Sequence, residues 1–248
     1  MSANVNVTNA ARKKKILLVA ANPSTSTVTG WPVGFWWAEL THPYWAFTEA
    51  GYTVEIRSPK GGALVADGFS DPEDASGYSA HDILSLGFKK SPTHRALVED
   101  TRSIEDVNPL DYDAVFVAGG QSPMFTFRAD TALRRLVSGF YESGKVTALV
   151  CHATCLLLDT RLSSGDLLVK GKTWTGFATA EEQYADAYVG RRIQPFWIED
   201  EACKLEGTNF VVDQMFREFA VRDGLLVTGQ QQFSGAAAAR LVIEALGR

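Results

Sequence analysis

Cys151 has the surroundings in this sequence that best suit a nucleophile. It closes an apolar, β-rich run at 146–150 (VTALV) and stands before a stretch of helical character at 153–158. That position is the carboxyl end of a buried parallel strand, where open α/β sheets gather their ligands. It is also a helix N-terminus, whose partial positive charge favours a thiolate. The turn that exposes a nucleophile in hydrolases has the same architecture, although the G-x-S-x-G glycines are absent here. The competing reading is a small buried hydrophobe, the commonest state of a free cysteine.

Four further features bear on the same chemistry. Glu39 lies in FWWAEL, among aromatic and aliphatic neighbours. A carboxyl there is expected to hold its proton to higher pH than an exposed one; the alternative is an exposed helix glutamate. Gly119-Gly120 follows an apolar strand and precedes Gln121. Paired glycines let backbone N–H groups face a ligand as an oxyanion hole does, or simply form a tight turn. His152 adjoins Cys151, but neighbouring side chains on such a turn usually diverge. It can act as a base toward substrate if a carboxylate orients its ring. Glu181 and Glu182 are candidates for that carboxylate, or are only first-turn helix acids. His42, His81 and His94 have no comparable context, though His42 follows Glu39 by three.

The elements that must position these residues alternate along the chain. Residues 15–20 and 52–58 read as strands around a helix at 35–50, which Pro43 should kink or break and Gly51 should stop. Residues 59–112 are longer and less regular, with an acidic loop at 67–79 and a helix at 92–104. They are expected to form an insertion or cap, being too polar for a core of their own. A strand at 113–117, a helix at 130–143 and the Cys151 strand follow. Hairpins are expected at 167–175 around Gly171 and at 219–228 around Asp223-Gly224, with a helix at 180–189 between them. An Ala-rich helix at 234–246 has Ser234 as its expected N-cap. This alternation predicts a mostly parallel sheet sandwiched by helices.

Composition narrows the class. A chain of 248 residues, 46% hydrophobic and 21% charged, has the make-up of a globular α/β protein, and a net charge of −5 argues against nucleic-acid or anionic-membrane partners. No apolar run reaches the roughly 18 residues needed to span a bilayer. Residues 1–14 are expected to be a flexible leader, without the apolar core of a secretory signal. The three cysteines, Cys151, Cys155 and Cys203, are an odd number without framework spacing, as expected in a reducing cytoplasm. Cys151 and Cys155 have no neighbouring ligand cluster, so no metal is expected.

Taken in order, FWWAELTHPYWAFTEAGYTVEIRSPKGG, DYDAVFVAGGQSPMF, VCHA, LVKGKTWTGFATAEE and DGLLVTGQQQFS resemble the DJ-1/PfpI superfamily. They are most similar to its Hsp31-like branch, which includes glutathione-independent glyoxalase III enzymes and shares the class I glutamine amidotransferase-like fold. The resemblance covers nearly everything from residue 15 onward. It implies a flavodoxin-like sandwich with a nucleophile elbow at Cys151, Glu39 against the thiol, and His152 as the catalytic histidine. Glu182, or alternatively Glu181, falls at the orienting acid. Gly120 and the His152 backbone fall at the oxyanion donors. The implied reaction is a lyase conversion of methylglyoxal or related 2-oxoaldehydes to 2-hydroxy acids (D-lactate), without a cofactor, by a homodimer. A holdase chaperone or redox sensor using Cys151 oxidation is a second implied role, and hydrolysis or lysis of another small electrophile a third. Gln121 stands where the family often has a histidine, and Gln231-Gln232-Phe233-Ser234 replaces an Asn-Pro-x-Ser-like segment. Both departures fall in the substrate pocket that the resemblance implies.

Overall fold

In the computed structural model, which describes residues 13–247, the apolar runs are strands. These are β1 (Lys15–Val19), β2 (Thr53–Ser58), β3 (Arg102–Ser103), β4 (Ala114–Val117), β5 (Val146–Val150), β6 (Ala220–Asp223) and β7 (Leu226–Gly229). They form one sheet in the order β6-β7-β5-β4-β1-β2-β3. Every pairing is parallel except the β6–β7 hairpin, which turns at Asp223-Gly224 as its sequence signal predicts. Apart from its last two residues, the expected leader at 1–14 lies outside the described residues.

The helices used below are α1 (Trp37–Glu49), α2 (Ile83–Lys90), α3 (Pro92–Glu99), α4 (Thr131–Glu142), α5 (Thr179–Val189) and α6 (Gly235–Ala245). In β1, Ile16 and Leu18 join one apolar layer with Leu40, Phe47, Ala238 and Val242, under α1 and α6. Leu17 and Val19 join the other with Leu133, Val137 and Phe140 of α4. Alternate residues of one strand thus fill two cores, which explains its uninterrupted apolar sequence. The molecule is a flavodoxin-like sandwich. From β1 the chain runs to β2 on one side and later to β4 on the other, so a topological switch point opens at the carboxyl ends of β1 and β4.

Several local expectations are corrected. Pro43 does not break α1. Its ring is buried against α6 at Gly235, where a Cβ would lie 3.3 Å from Pro43 Cγ and Cδ. Helix–helix packing therefore offsets the lost backbone bond. The hairpin at 167–175 is absent. Gly171 turns the chain (φ 73°), but Thr173–Trp174 pairs in parallel with Asn209–Phe210. Trp174 is fully buried and donates from Nε1 to Thr208 Oγ1 at 2.8 Å, while Asp223 accepts from Thr173 N at 2.9 Å. These distant partners outcompete a local strand. Ser234 precedes α6 but does not cap it; its hydroxyl accepts from Phe219 N (3.2 Å) and Gln231 N (3.3 Å). Within 59–112, α3 stops at Glu99 because Arg102–Ser103 is drawn to the sheet edge beside β2. The additional helix α2 is capped by Asp82, which accepts from Ser85 N at 3.1 Å.

Candidate active site

Cys151 follows β5 directly and begins a buried eight-residue 3-10 helix, Cys151–Leu158. Its backbone has φ 54°, a strained conformation for a residue with a Cβ, and the one a nucleophile elbow requires. Two contacts support the turn. Thr154 Oγ1 donates to Cys151 O at 2.6 Å, and Gly176 lets its own strand-like segment close over Thr154, since a Cβ there would sit 2.1 Å from that hydroxyl.

The elbow brings together side chains that were expected to diverge. His152 Nδ1 lies 3.6 Å from Cys151 Sγ. The left-handed φ at Cys151 folds the turn back, so consecutive side chains share one side of it. On the far side of the ring, His152 Nε2 is 3.1 Å from Glu182 Oε1, with both side chains 1% exposed. Glu181 does not reach the histidine. Its Oε2 accepts from Ala178 N at 3.0 Å, and its Oε1 from Phe216 N (2.8 Å) and Gln230 Nε2 (3.0 Å). It is a helix-start and loop anchor. Phe177 stacks on the imidazole, with ring centroids 4.1 Å apart and planes at 21°. Burial opposes a charge on His152, but the surrounding carboxylates, Glu182 first and then Glu39 and Asp67, together hold the imidazole pKa above its ordinary value. Burial raises Glu182 as well.

Glu39 is fully buried in the first turn of α1. Its Oε2 accepts from Gly119 N at 2.8 Å, while Oε1 has no conventional hydrogen-bond partner and its carboxyl abuts the Cys151 thiol. Burial pushes its pKa up to about 8, against the opposing influence of the thiol, His152 and the Gly119 amide. The acid expected from FWWAEL is therefore protonated near neutrality. The expectation of a thiolate favoured by the helix start needs correction. Burial, and then the Glu39 charge, hold the Cys151 thiol well up, with only the His152 amide acting the other way. Protonating Glu39 removes that charge and turns the carboxyl into a donor toward sulfur.

The glycine pair is used by close approach as much as by conformation. A Cβ on Gly119 would lie 2.6 Å from Glu39 Oε2, and one on Gly120 (φ 111°) 2.6 Å from Gly34 O. Gly119 N–H is committed to Glu39 and Gln121 N–H to Asp67 Oδ2 at 2.6 Å. Among the described residues, Gly120 N–H is left without a protein acceptor. Gln121 lines a cavity of about 260 Å³ together with Cys151 and His152, and its amide oxygen accepts from Gln194 Nε2. Of the replaced late segment, Gln232 reaches the same cavity and donates to the Tyr78 hydroxyl at 3.0 Å.

Asp67 was not legible as a site residue. It is buried at the start of the acidic loop and accepts from Gly34 N (2.7 Å) and Gln121 N, tying the loops after β1 and β4 to the 59–112 segment. Burial raises its pKa to about 7 in spite of those two bonds. An acidic surface loop gives no local sign that one carboxylate turns inward. His42 pairs instead with Asp82 at 2.9 Å, away from the thiol. No group of three or more His, Cys, Asp or Glu among the described residues is placed to hold a metal ion, and no helix there is long and apolar enough to cross a membrane.

A flavodoxin-like sandwich with a cysteine on a strand-to-helix elbow, backed by a protonated carboxyl and a carboxylate-held histidine, defines a class of cysteine-centred α/β proteins. The chain belongs to the DJ-1/PfpI family, whose model matches residues 33–245. It is 28% identical over 239 residues to a glutathione-independent glyoxalase, hsp3101, of Schizosaccharomyces pombe, covering 94% of this chain and 96% of the relative. Identity to the glutathione-independent glyoxalase HSP31 of Saccharomyces cerevisiae is 24%, covering 95% and 99%. The crystal structure of glyoxalase III from Candida albicans is 25% identical and superposes with a TM-score of 0.73, over 94% of this chain and 97% of that one. The similarity to the Hsp31-like branch read from the motifs holds over the whole domain.

Proposed function

We propose that the protein converts methylglyoxal or related 2-oxoaldehydes to 2-hydroxy acids, D-lactate in the first case, without glutathione. The observation that carries this reading is the convergence of Cys151, the His152–Glu182 pair and protonated Glu39 in one buried cluster at the cavity floor. The activities named for the S. pombe, S. cerevisiae and C. albicans relatives supply the substrate class.

The residues divide the steps. Cys151 passes its proton to His152 Nδ1 and adds through sulfur to the aldehyde carbon. The aldehyde oxygen takes up a proton from Glu39 to give a hemithioacetal, and the proton on His152 Nδ1 then passes to the Glu39 carboxylate, which frees the imidazole and restores the acid. His152, fixed by Glu182 and the Phe177 ring, then removes the hydrogen on that carbon as a proton. His152 returns that proton to the adjacent carbon of the enediol, and the hydroxyl proton on the first carbon's oxygen moves to the neighbouring oxygen, leaving a 2-hydroxy thioester. Water displaces sulfur, releases the acid and restores the thiol. One carbon is oxidised as its neighbour is reduced, so no external oxidant or reductant enters. Gly120 N–H is the donor available to the oxyanion. A cap role for residues 59–112, supported by Phe69 and Tyr78 on the cavity wall, and a cytoplasmic location, in keeping with three unbridged cysteines, belong to the same proposal, as does the homodimer that the family resemblance implies.

One observation favours a second reading. Glu39 Oε1 is buried against the thiol with no oxygen or nitrogen acceptor, and a sulfinate oxygen on Cys151, added by peroxide, would give its proton a stronger acceptor than sulfur. Glutathione-free conversion of methylglyoxal to lactate, wild type against Cys151→Ser, separates the two. The expected result is one lactate enantiomer from wild type and none from the variant. Glu182→Gln is expected to lower kcat by roughly 10²–10⁴, the range of a general-base contribution, with a much smaller effect from Glu181→Gln. No 2-hydroxy acid from methylglyoxal or a related 2-oxoaldehyde with folded, reduced wild type sinks the glyoxalase reading and leaves Cys151 oxidation as the one to pursue.

A further inference from the structure

The cavity over Cys151 has a wall that a methyl-bearing substrate does not call for. Besides Phe177, which stacks on His152, six aromatic rings line it: Trp36, Phe69, Tyr78, Tyr184, Tyr188 and Phe216. They come from the α1 approach, the 59–112 segment, α5 and the loop before β6, and they brace one another edge to face. Trp36–Tyr78 and Phe69–Tyr78 centroids are each 6.1 Å apart, Phe69–Tyr188 6.5 Å and Tyr184–Phe216 5.3 Å. Tyr188 is nevertheless 74% exposed and Tyr184 54%, while Cys151 at the floor is 2% exposed. Rings braced below and open above form an apolar collar at the mouth. Exposed apolar surface concentrated around a reactive group marks a binding surface. Apart from His152, no lining residue carries an ionisable acid or base of the Asp, Glu, Lys or Arg type. The collar therefore suits an uncharged substituent.

Resting on the glyoxalase reading, we propose that this collar selects 2-oxoaldehydes bearing an aryl group over methylglyoxal. The carbonyl pair must descend to Cys151 and His152, so the substituent points back toward the mouth. A methyl group ends short of most of the collar. A phenyl ring can meet it edge to face, the geometry the collar rings already use among themselves. Tyr78 holds its place through Gln232 as well as through Trp36, so the collar's inner ring is fixed before substrate arrives. Aromatic area buried against preformed rings is expected to favour the aryl substrate by roughly tenfold or more in kcat/KM.

The test compares phenylglyoxal with methylglyoxal, both without glutathione, in wild type and in the exposed-ring variants Tyr184→Ser/Tyr188→Ser and Phe69→Ser. The expected kcat/KM ratio is roughly ten or more in wild type, falling several-fold in the variants; comparing that ratio between wild type and variant cancels the intrinsic reactivities of the two aldehydes. A second measurement needs no variant: mandelate, the aryl product, is expected to inhibit wild-type methylglyoxal turnover at a concentration roughly tenfold lower than lactate. Methylglyoxal turnover with a ratio near one, unmoved by the substitutions, and equal inhibition by the two acids overturns the selectivity and leaves the glyoxalase reading standing. No turnover of either aldehyde overturns both.

Discussion

At the scale of single residues, the site is governed by where protons sit. Glu39 holds its proton to a pKa of about 8 because its carboxyl is fully buried, whereas an ordinary glutamate loses it near 4.5. Between those values the folded protein binds a proton that the unfolded chain has released. Stability is therefore expected to fall as pH rises through that window and to level off above about 8. The full shift corresponds to roughly 4–5 kcal/mol, as an order of magnitude. Unfolding midpoints of wild type and Glu39→Gln measured from pH 5 to 9 check this. The variant is expected to lack this component and to gain on wild type steadily with pH; curves that stay parallel would contradict a buried, protonated Glu39. Two adjacent glutamates show how far one position matters. Glu182 faces the imidazole, while Glu181, one helical step away, is spent on backbone amides and Gln230.

At the scale of elements, the elbow is a strained turn held by its neighbours. The backbone of Cys151 is costly by roughly 1–3 kcal/mol on its own. It persists because Thr154 bonds back to it and because residues 176–177 close over the turn, with Phe177 pressed on His152. Gly176→Ala would force a methyl against Thr154 Oγ1 and is expected to destabilise the fold by about 2 kcal/mol or more, read by chemical denaturation. Phe177→Ala is the informative companion. Without the stacked ring the imidazole loses its fixed plane, so kcat should fall more than KM changes while the protein remains folded. Equal kcat in the two proteins would show that Glu182 alone orients the histidine.

At the scale of the whole molecule, the site is assembled from distant segments at the switch point. Asp67 is the clasp, joining Gly34 after β1 and Gln121 after β4 to the 59–112 segment by one buried and one half-buried bond. Close packing reinforces it, since a Cβ on Gly34 would lie 1.8 Å from Val65 O. Asp67→Asn replaces one accepting oxygen by an NH2 that faces a backbone donor. We expect a loss of roughly 1–3 kcal/mol from the unsatisfied amide, together with lower kcat as the Gly120–Gln121 loop loosens. Denaturation and turnover measured on the same preparation check both effects. Unchanged values would mean that the segment is held by its apolar contacts alone.

The sequence by itself determined the sandwich, because strands such as KILLV are apolar on both faces and only a covered parallel sheet accommodates that pattern. It also located Cys151 and Glu39, whose local settings, a strand-to-helix junction and an aromatic helix start, are written in adjacent residues. Tertiary structure alone decided the rest. Which of Glu181 and Glu182 meets His152 depends on how α5 lies against the elbow. Whether Pro43 breaks its helix depends on Gly235 nearly two hundred residues away, and whether 167–175 folds on itself depends on Asp223 and the partner strand at 209–210. The inward turn of Asp67 and the aromatic collar likewise arise from residues far apart in the chain. Periodicity and local composition report the energetics of neighbours along the backbone, whereas these features are set by contacts that exist only after the chain has closed.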